Sequence, residues 1–258
     1  MKKNTMKTKQ ILVWAAIVVS LGCAVASRGA TFSNFEPLTY TNGTSLIGVD
    51  GWTFTLGGPT ARVTPDPLGS GYLNVLEGSQ SLLLAGGFLG RGWNGLENWV
   101  VTNGFYVSFL LQRPDGHGPT AVYLSDNLAG GATQAGIELD GAGSINVFGD
   151  TGTSNTGSSY LAGKTYRMAM LFSFNADTFT AFSENITDAG SVLNLGTYGI
   201  AGSPLDMTNL RNNGGLFFQT GLGVTIFDSI QVIPEPTTAG LAVLGGLLLL
   251  RGIRSRRK

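Results

Sequence analysis

Through most of the chain, apolar residues fall at every second position in short runs, and Gly, Asn, Asp and Ser clusters separate the runs. A period of two places successive side chains on opposite faces of a strand, so this pattern predicts half-buried β-strands. Phe105–Gln112 sets Phe105, Val107, Phe109 and Leu111 on one face and Tyr106, Ser108, Leu110 and Gln112 on the other. Thr165–Phe174 alternates Tyr166, Met168, Met170, Phe172 and Phe174 against Thr165, Arg167, Ala169, Leu171 and Ser173. Asn175-Ala176-Asp177 then turns the chain into Thr178–Ser183, which predicts a hairpin. Further strands are expected at Thr31–Glu36, Leu46–Gly48, Gly51–Leu56, Ala61–Thr64, Tyr72–Leu76, Ser79–Ala85 and Trp99–Val101. Ala121–Leu124, Gly136–Leu139, Ser144–Phe148, Gly215–Gln219 and Val224–Val232 complete the set. Leu82-Leu83-Leu84 does not alternate, as expected of a strand lying between two layers. No amphipathic helix of useful length occurs in the body, where Leu205–Arg211 offers one short turn at most. No unit of 20 to 50 residues recurs, which disfavours a solenoid or propeller. The fold expected is all-β, a two-sheet antiparallel jelly-roll sandwich.

The alternation stops at both ends. Lys2, Lys3, Lys7 and Lys9 precede the apolar run Ile11–Val19 and the small-residue pattern Ala24-Val25-Ala26, which reads as a secretory signal over residues 1–30. Cleavage is expected after Ala26; a cut after Ala30 would place Arg28 at the third position before it. At the other end, Val232-Ile233-Pro234-Glu235-Pro236 leads into an apolar run through Ala239, Leu241, Leu244 and Leu250. Arg251, Arg254, Arg256, Arg257 and Lys258 close the sequence. Twelve residues of helix span about 18 Å, short of the roughly 30 Å hydrocarbon core. Extending from Thr237 to Ile253, with Arg251 snorkelling, nearly closes that gap. Cations just after the span orient the tail to the cytoplasm and the body outside.

With those ends set aside, composition changes the picture. The formal charge of the chain is zero, yet between Thr31 and Ile233 six bases face fifteen acids, a net of about −9. Such a body repels phosphate backbones, which argues against nucleic-acid partners. The single cysteine, Cys23, lies in the N-terminal signal, so a processed body has no disulfide and no thiol chemistry. Thirty-nine glycines distributed among Thr, Ser and Asn fit a chain with many turns.

The triple of Pro234-Glu235-Pro236, the Gly- and Leu-rich Ala239–Leu250 and the Arg-rich end resembles the PEP-CTERM sorting signal, over residues 233–258. The resemblance implies bacterial export, temporary anchoring in the inner membrane and cleavage near the motif by an exosortase-type membrane peptidase. The destination it implies is the cell surface or the extracellular space. The residues suit that reading physically, because two prolines exclude helix and keep the segment extended. The body, 31–232, is similar to exported concanavalin A-like (laminin G-like) jelly rolls. That likeness rests on Asn34-Phe35-Glu36, Gly51-Trp52, Lys164-Thr165-Tyr166 and Phe227-Asp228-Ser229-Ile230-Gln231-Val232.

Candidate chemistry in the body is sparse. Glu138 and Asp140 sit two apart on a strand and so share a face. Family-16-like glycoside hydrolases carry a Glu-x-Asp followed shortly by a second Glu, but Gly141, Ala142, Gly143 and Ser144 follow here, leaving no acid/base partner. The ordinary alternative is a strand end running into an Asp-Gly turn. His117, the one histidine, lies in a Pro/Gly-rich stretch, with no Gly-x-Ser-x-Gly elbow in the chain. Asp150–Asn155 and Asp126-Asn127 could offer oxygens to Ca²⁺ but lack the spacing of an EF-hand loop. No catalytic set, metal site or cofactor is expected. Trp52 and Trp99 read as core residues, and Trp93, in a loop beside Asn94, is the candidate carbohydrate contact. The expectation is a non-enzymatic exported protein with a structural or adhesive role, in contact with extracellular polysaccharide. The alternative is a lectin-like carbohydrate-binding module, and a glycoside hydrolase using Glu138 and Asp140 ranks third.

Overall fold

The computed structural model describes residues 30–33, 52–56, 60–64, 76, 80–92, 104–114, 118–125, 133–173, 175–201 and 214–234. Among them the strands are β1 (Ala30–Ser33), β2 (Trp52–Leu56), β3 (Thr60–Thr64), β4 (Ser81–Gly92), β5 (Gly104–Gln112), β6 (Thr120–Ser125) and β7 (Thr133–Leu139). They continue as β8 (Ser144–Gly149), β9 (Gly152–Ser159), β10 (Thr165–Ser173), β11 (Thr178–Asn185), β12 (Leu193–Gly199) and β13 (Gly215–Pro234). Every pairing is antiparallel.

The strands form one continuous sheet, β12-β11-β10-β5-β13-β6-β7-β8-β9, folded back on itself into two layers. The fold line is β13. Its first half, Gly215–Thr220, pairs with β6, and its second half, Ile226–Pro234, pairs with β5. On its other side it pairs with β4 at both levels, with a break in register between Thr220 and Val224. Opposite that break β4 carries Gly86 and Gly87 at φ 67 and 79, a left-handed bend that a side chain would strain. The two strands therefore turn the corner together. At the far edges Gly199 accepts a backbone hydrogen bond from Asp150 (3.1 Å), drawing the layers toward closure.

Between the layers lies a single core. Phe105, Val107, Phe109 and Leu111 face Phe172, Met170, Met168 and Tyr166 in register, as their alternation predicts. Val122, Leu124, Ile137, Leu139, Ile145 and Val147 supply the other side. Phe218 of β13 touches Trp52 (ring centroids 5.4 Å), Phe227 (5.2 Å) and Phe109 (6.5 Å), so one ring joins both layers. Each such side chain contributes about 1.5–3 kcal/mol by burial.

The structure corrects several strand expectations. Gly215–Gln219 and Val224–Val232 are one strand, because Gly221-Leu222-Gly223 bends the ladder without ending it. β4 runs to Gly92, well beyond the Ala85 at which the expected strand stops. Of the strand expected over Thr31–Glu36, Thr31–Ser33 lie in β1, and 34–36 lie outside the described residues. β9 and β12 were not foreseen; β9 is built wholly from Gly, Thr, Ser and Asn. The hairpin through Asn175-Ala176-Asp177 forms as expected, with Asp177 at φ 55. Leu46–Gly48, Trp99–Val101 and Leu205–Arg211 lie outside the described residues, as does Tyr72–Leu76 apart from Leu76.

Candidate functional site

The hairpin β7–β8 positions the site. Asp140 donates its N–H to Ser144 O (3.1 Å), Gly143 donates to Asp140 O (3.4 Å), and Gly143 has φ 91. This is a three-residue loop closed by a left-handed glycine, and it fixes the register of both arms. Glu138 consequently lies opposite Asn146, and Gly136 opposite Phe148.

Propagated through β13, β6 and β9, that register lays two parallel rows on the outer face of this layer. One runs Phe217, Tyr123, Gly136, Phe148, Thr153; the next runs Gln219, Ala121, Glu138, Asn146, Asn155. The first row is aromatic at three of its five positions, and the second is polar at four. Tyr123 and Phe148 are half-buried and meet edge to face, with centroids 6.1 Å apart. The glycine between them is required: a Cβ at Gly136 would lie 2.4 Å from Tyr123 Cδ1 and 2.7 Å from Val122 O. The tyrosine ring thus leans over β7 and bridges β6 to β8.

Polar contacts tie the rows together. Tyr123 donates its hydroxyl to Glu138 Oε2 (3.3 Å), and Asn146 Nδ2 donates to Glu138 Oε1 (3.4 Å) and Asp140 Oδ2 (3.3 Å). Asp140 Oδ1 also accepts the backbone N–H groups of Ser144 (2.8 Å) and Ala142 (2.9 Å). Partial burial works to raise the pKa of Asp140, but those N–H donors and the Asn146 amide outweigh it, so its carboxyl stays below the ordinary range. Burial, and then the charge of Glu138, push the Tyr123 phenol far above its ordinary range. Tyr123 is therefore a neutral donor at neutral pH. Strands β6 to β9 and the first half of β13 contain no Lys or Arg.

Beneath the end of β7, a buried cation holds the backbone. Arg113, which follows β5, donates to Leu139 O (3.4 Å), Asp140 O (3.1 Å) and the Tyr160 hydroxyl. Its guanidinium lies 5.3 Å from the Tyr160 ring centroid, and Tyr160 in turn donates to Asp140 O (2.6 Å). The carbonyls at the end of β7 are thus drawn inward, and its carboxylates stay on the outer face.

The sequence-predicted residues separate clearly. Glu138 and Asp140 do share a face, but Asp140 is committed to its turn. Trp52 is in the core as expected, fully buried. Asp150 sits in the tight turn between β8 and β9, with its carboxylate against the backbone of Gly199. Among the described residues no three His, Cys, Asp or Glu side chains gather as a metal would need. Pro234 is the last residue of β13, paired with Phe105. Glu235, Pro236, Trp93, Trp99, His117, Asp126 and Asn127, the signal segment apart from Ala30, which opens β1, and the whole apolar and basic tail lie outside the described residues. No helix among the described residues is long and apolar enough to cross a membrane. Sequence reasoning missed Tyr123, Asn146 and Phe148. Counting outward from the Asp140–Ser144 turn would have found the last two, since positions 138 and 146, and 136 and 148, are equidistant from it.

No family model matches the chain, and no curated protein matches it. Solved structures do resemble it in fold. A sialidase aligns at 14% identity and a TM-score of 0.44 over 70% of this chain, which spans only 17% of that one. Lectin II from Ulex europaeus aligns at 12% identity and 0.45, covering 73% of this chain and 94% of its own. The catalytic domain of a glycoside hydrolase family 131 protein from Coprinopsis cinerea aligns at 9% identity and 0.46, covering 72% and 86%. Lectins and hydrolases stand side by side at the same scores, so function has to be argued from this chain's own residues.

Proposed function

We propose that this protein is an exported, non-enzymatic carbohydrate-binding module that attaches its carrier to extracellular polysaccharide. One observation carries the reading: the half-buried rings of Tyr123 and Phe148 stand in one row beside a row of amides and a carboxylate on the outer face of this layer, with Thr153 and Asn155 exposed at its edge and Phe217 and Asn146 largely covered. Pyranose rings have an apolar C–H face and a polar hydroxyl edge, and this pairing of rows is complementary to both. Lectin-like neighbours in the fold comparison fit the proposal without adding to it. Commitment of Asp140 to its turn supports the non-enzymatic part, because retaining hydrolysis needs a second free carboxyl close to Glu138.

A glycan array probed with the parent, Tyr123→Ala and Phe148→Ala tests the binding. Retention by the parent and loss in both variants, with unchanged circular dichroism, is expected; binding indifferent to both changes would refute the assignment. Reducing-sugar release that disappears in Glu138→Gln would overturn the claim that no catalysis occurs.

In the same proposal the C-terminal 233–258 is a PEP-CTERM address. The body would leave through the inner membrane, be held by Ala239–Leu250, and be cut by an exosortase-type peptidase on its way to the cell surface or medium. Pairing of Ala30 with Val232 and of Pro234 with Phe105 supports this arrangement, since both ends of the body then leave from one pole. Mass spectrometry of the mature protein should find a C-terminus well short of Lys258; an intact tail in cells with active exosortase would remove the sorting claim.

A further inference from the structure

Resting on that reading of the face, we infer that the ligand is an internal stretch of a linear, uncharged polysaccharide lying across the strands, not a terminal sugar. The two rows advance by one residue per strand, from β13 through β6, β7 and β8 to β9. Neighbouring strands are about 4.8 Å apart, so four intervals from Gln219 to Asn155 make a track of about 19 Å. A pyranose in an extended glycan advances by a length close to one strand interval. Successive sugars laid across the strands therefore meet the half-buried Tyr123 and Phe148 rings under their faces and Gln219, Glu138 and Asn155 along the hydroxyl edge, with the small Gly136 and Ala121, the exposed Thr153 and the largely covered Phe217 and Asn146 completing the rows. A chain laid along one strand would leave the aromatic row after a single sugar.

Openness points the same way. Thr153 and Asn155 are exposed on the edge strand β9, and among the described residues no strand pairs beyond them at that end of the track. An end-binding site encloses its sugar, whereas a track open at β9 lets a chain run on past its edge. Charge selects the ligand class. Glu138 and Asp140 are the carboxylates on the face among the described residues, the five contributing strand segments hold no cation, and the body is net acidic. A uronate or sulfated chain would meet like charge at the middle of the track with no cation to offset it, while neutral hydroxyls can donate to Glu138.

Calorimetry on the full chain, in a detergent without a sugar headgroup, tests this with cello-, xylo- and manno-oligosaccharides of two, four and six units and with hexagalacturonate. For at least one neutral series the affinity should rise at least tenfold between the disaccharide and the hexasaccharide, and hexagalacturonate should bind at least tenfold more weakly. Asn155→Ala should weaken the hexasaccharide several-fold and the disaccharide by much less, with an unaltered melting temperature as the folding control, since Asn155 Oδ1 also accepts the Gly157 N–H (2.7 Å). Equal affinity at all lengths, or a preference for hexagalacturonate, would overturn the extended neutral ligand while leaving sugar binding intact. Absence of heat with every probe, together with no glycan retained on the array, would overturn both.

Discussion

The two layers share one core but present very different outer faces. On the β5 layer, ions are paired locally: Arg167 with Glu184 across β10 and β11 (2.9 Å), and Lys164 with Asp188 at the pole (2.8 Å). Thr180 and Thr197 hydrogen-bond to one another there (2.9 Å), and the aromatic residues Tyr106 and Phe182 fall in different rows. On the β6 layer the charge is of one sign, the aromatics share a row, and the polar groups stand beside them. Both faces are built from the same pleat with the same period, so strand geometry alone does not make a site. What differs is the arrangement: on the β6 layer Tyr123, Glu138 and Asn146, though bonded to one another, stand in adjacent rows beside Phe148 without an opposite charge, where a polyhydroxyl ligand would meet them together.

The comparison can be broken at its common support. Phe218→Ala removes the ring that joins the layers and should cost about 3–5 kcal/mol in denaturant titration. Both faces should be lost in one transition, and two separated transitions would show that the layers fold independently. More selective is Gly136→Ala, whose added methyl must displace the Tyr123 ring or the β6 backbone. A loss of about 1–3 kcal/mol is expected, with sugar binding reduced by more than the melting temperature alone would explain. A wild-type melting curve with weakened binding would place the whole effect in the Tyr123 ring.

Asp140 sharpens the contrast through pH. Its pKa is depressed in the folded state, so its hydrogen bonds stabilise the fold above the ordinary carboxylate value of about 3.9. That contribution fades as the pH falls through the lower folded value. Asp140→Asn should therefore lose roughly 1 kcal/mol at neutral pH, and its melting curve should converge on the parent's in acid. A gap that stays constant with pH would mean the turn does not depend on the charge. The smallest effect belongs to the other face. A double-mutant cycle on Arg167 and Glu184 should give a coupling of about 0.2–1 kcal/mol that salt erodes, with no change in glycan affinity.

How far the sequence reaches follows from these same residues. Strands β5, β10 and β11 were legible because each has one buried and one outer face, so alternation marks them. β9 has no apolar residue to alternate, since it lies at an edge where Thr153, Asn155 and Ser159 face water. β12 was obscured by Gly196 and Asn194, and the continuity of β13 by a Gly-Leu-Gly bend that resembles a loop. Glu138 and Asp140 could be placed on one face from their spacing. Tyr123 could not join them, because the pairing of β6 with β7 spans a long connection whose length no local pattern sets. Trp93 drew attention as an isolated aromatic in a loop, whereas the aromatic row is an outcome of register.

The long β13 strand has a mechanical consequence. If the glycan grips the β6 layer and the tether pulls at Pro234, tension enters at one end of β13 and leaves through the first half of the same strand. Along its second half β13 is flanked by β5 on one side and by β4 and then β1 on the other. Force directed along a strand loads all of those ladder hydrogen bonds together and does not peel them one by one. A surface attachment built this way should hold under drag and let go by losing its sugar before it loses its fold.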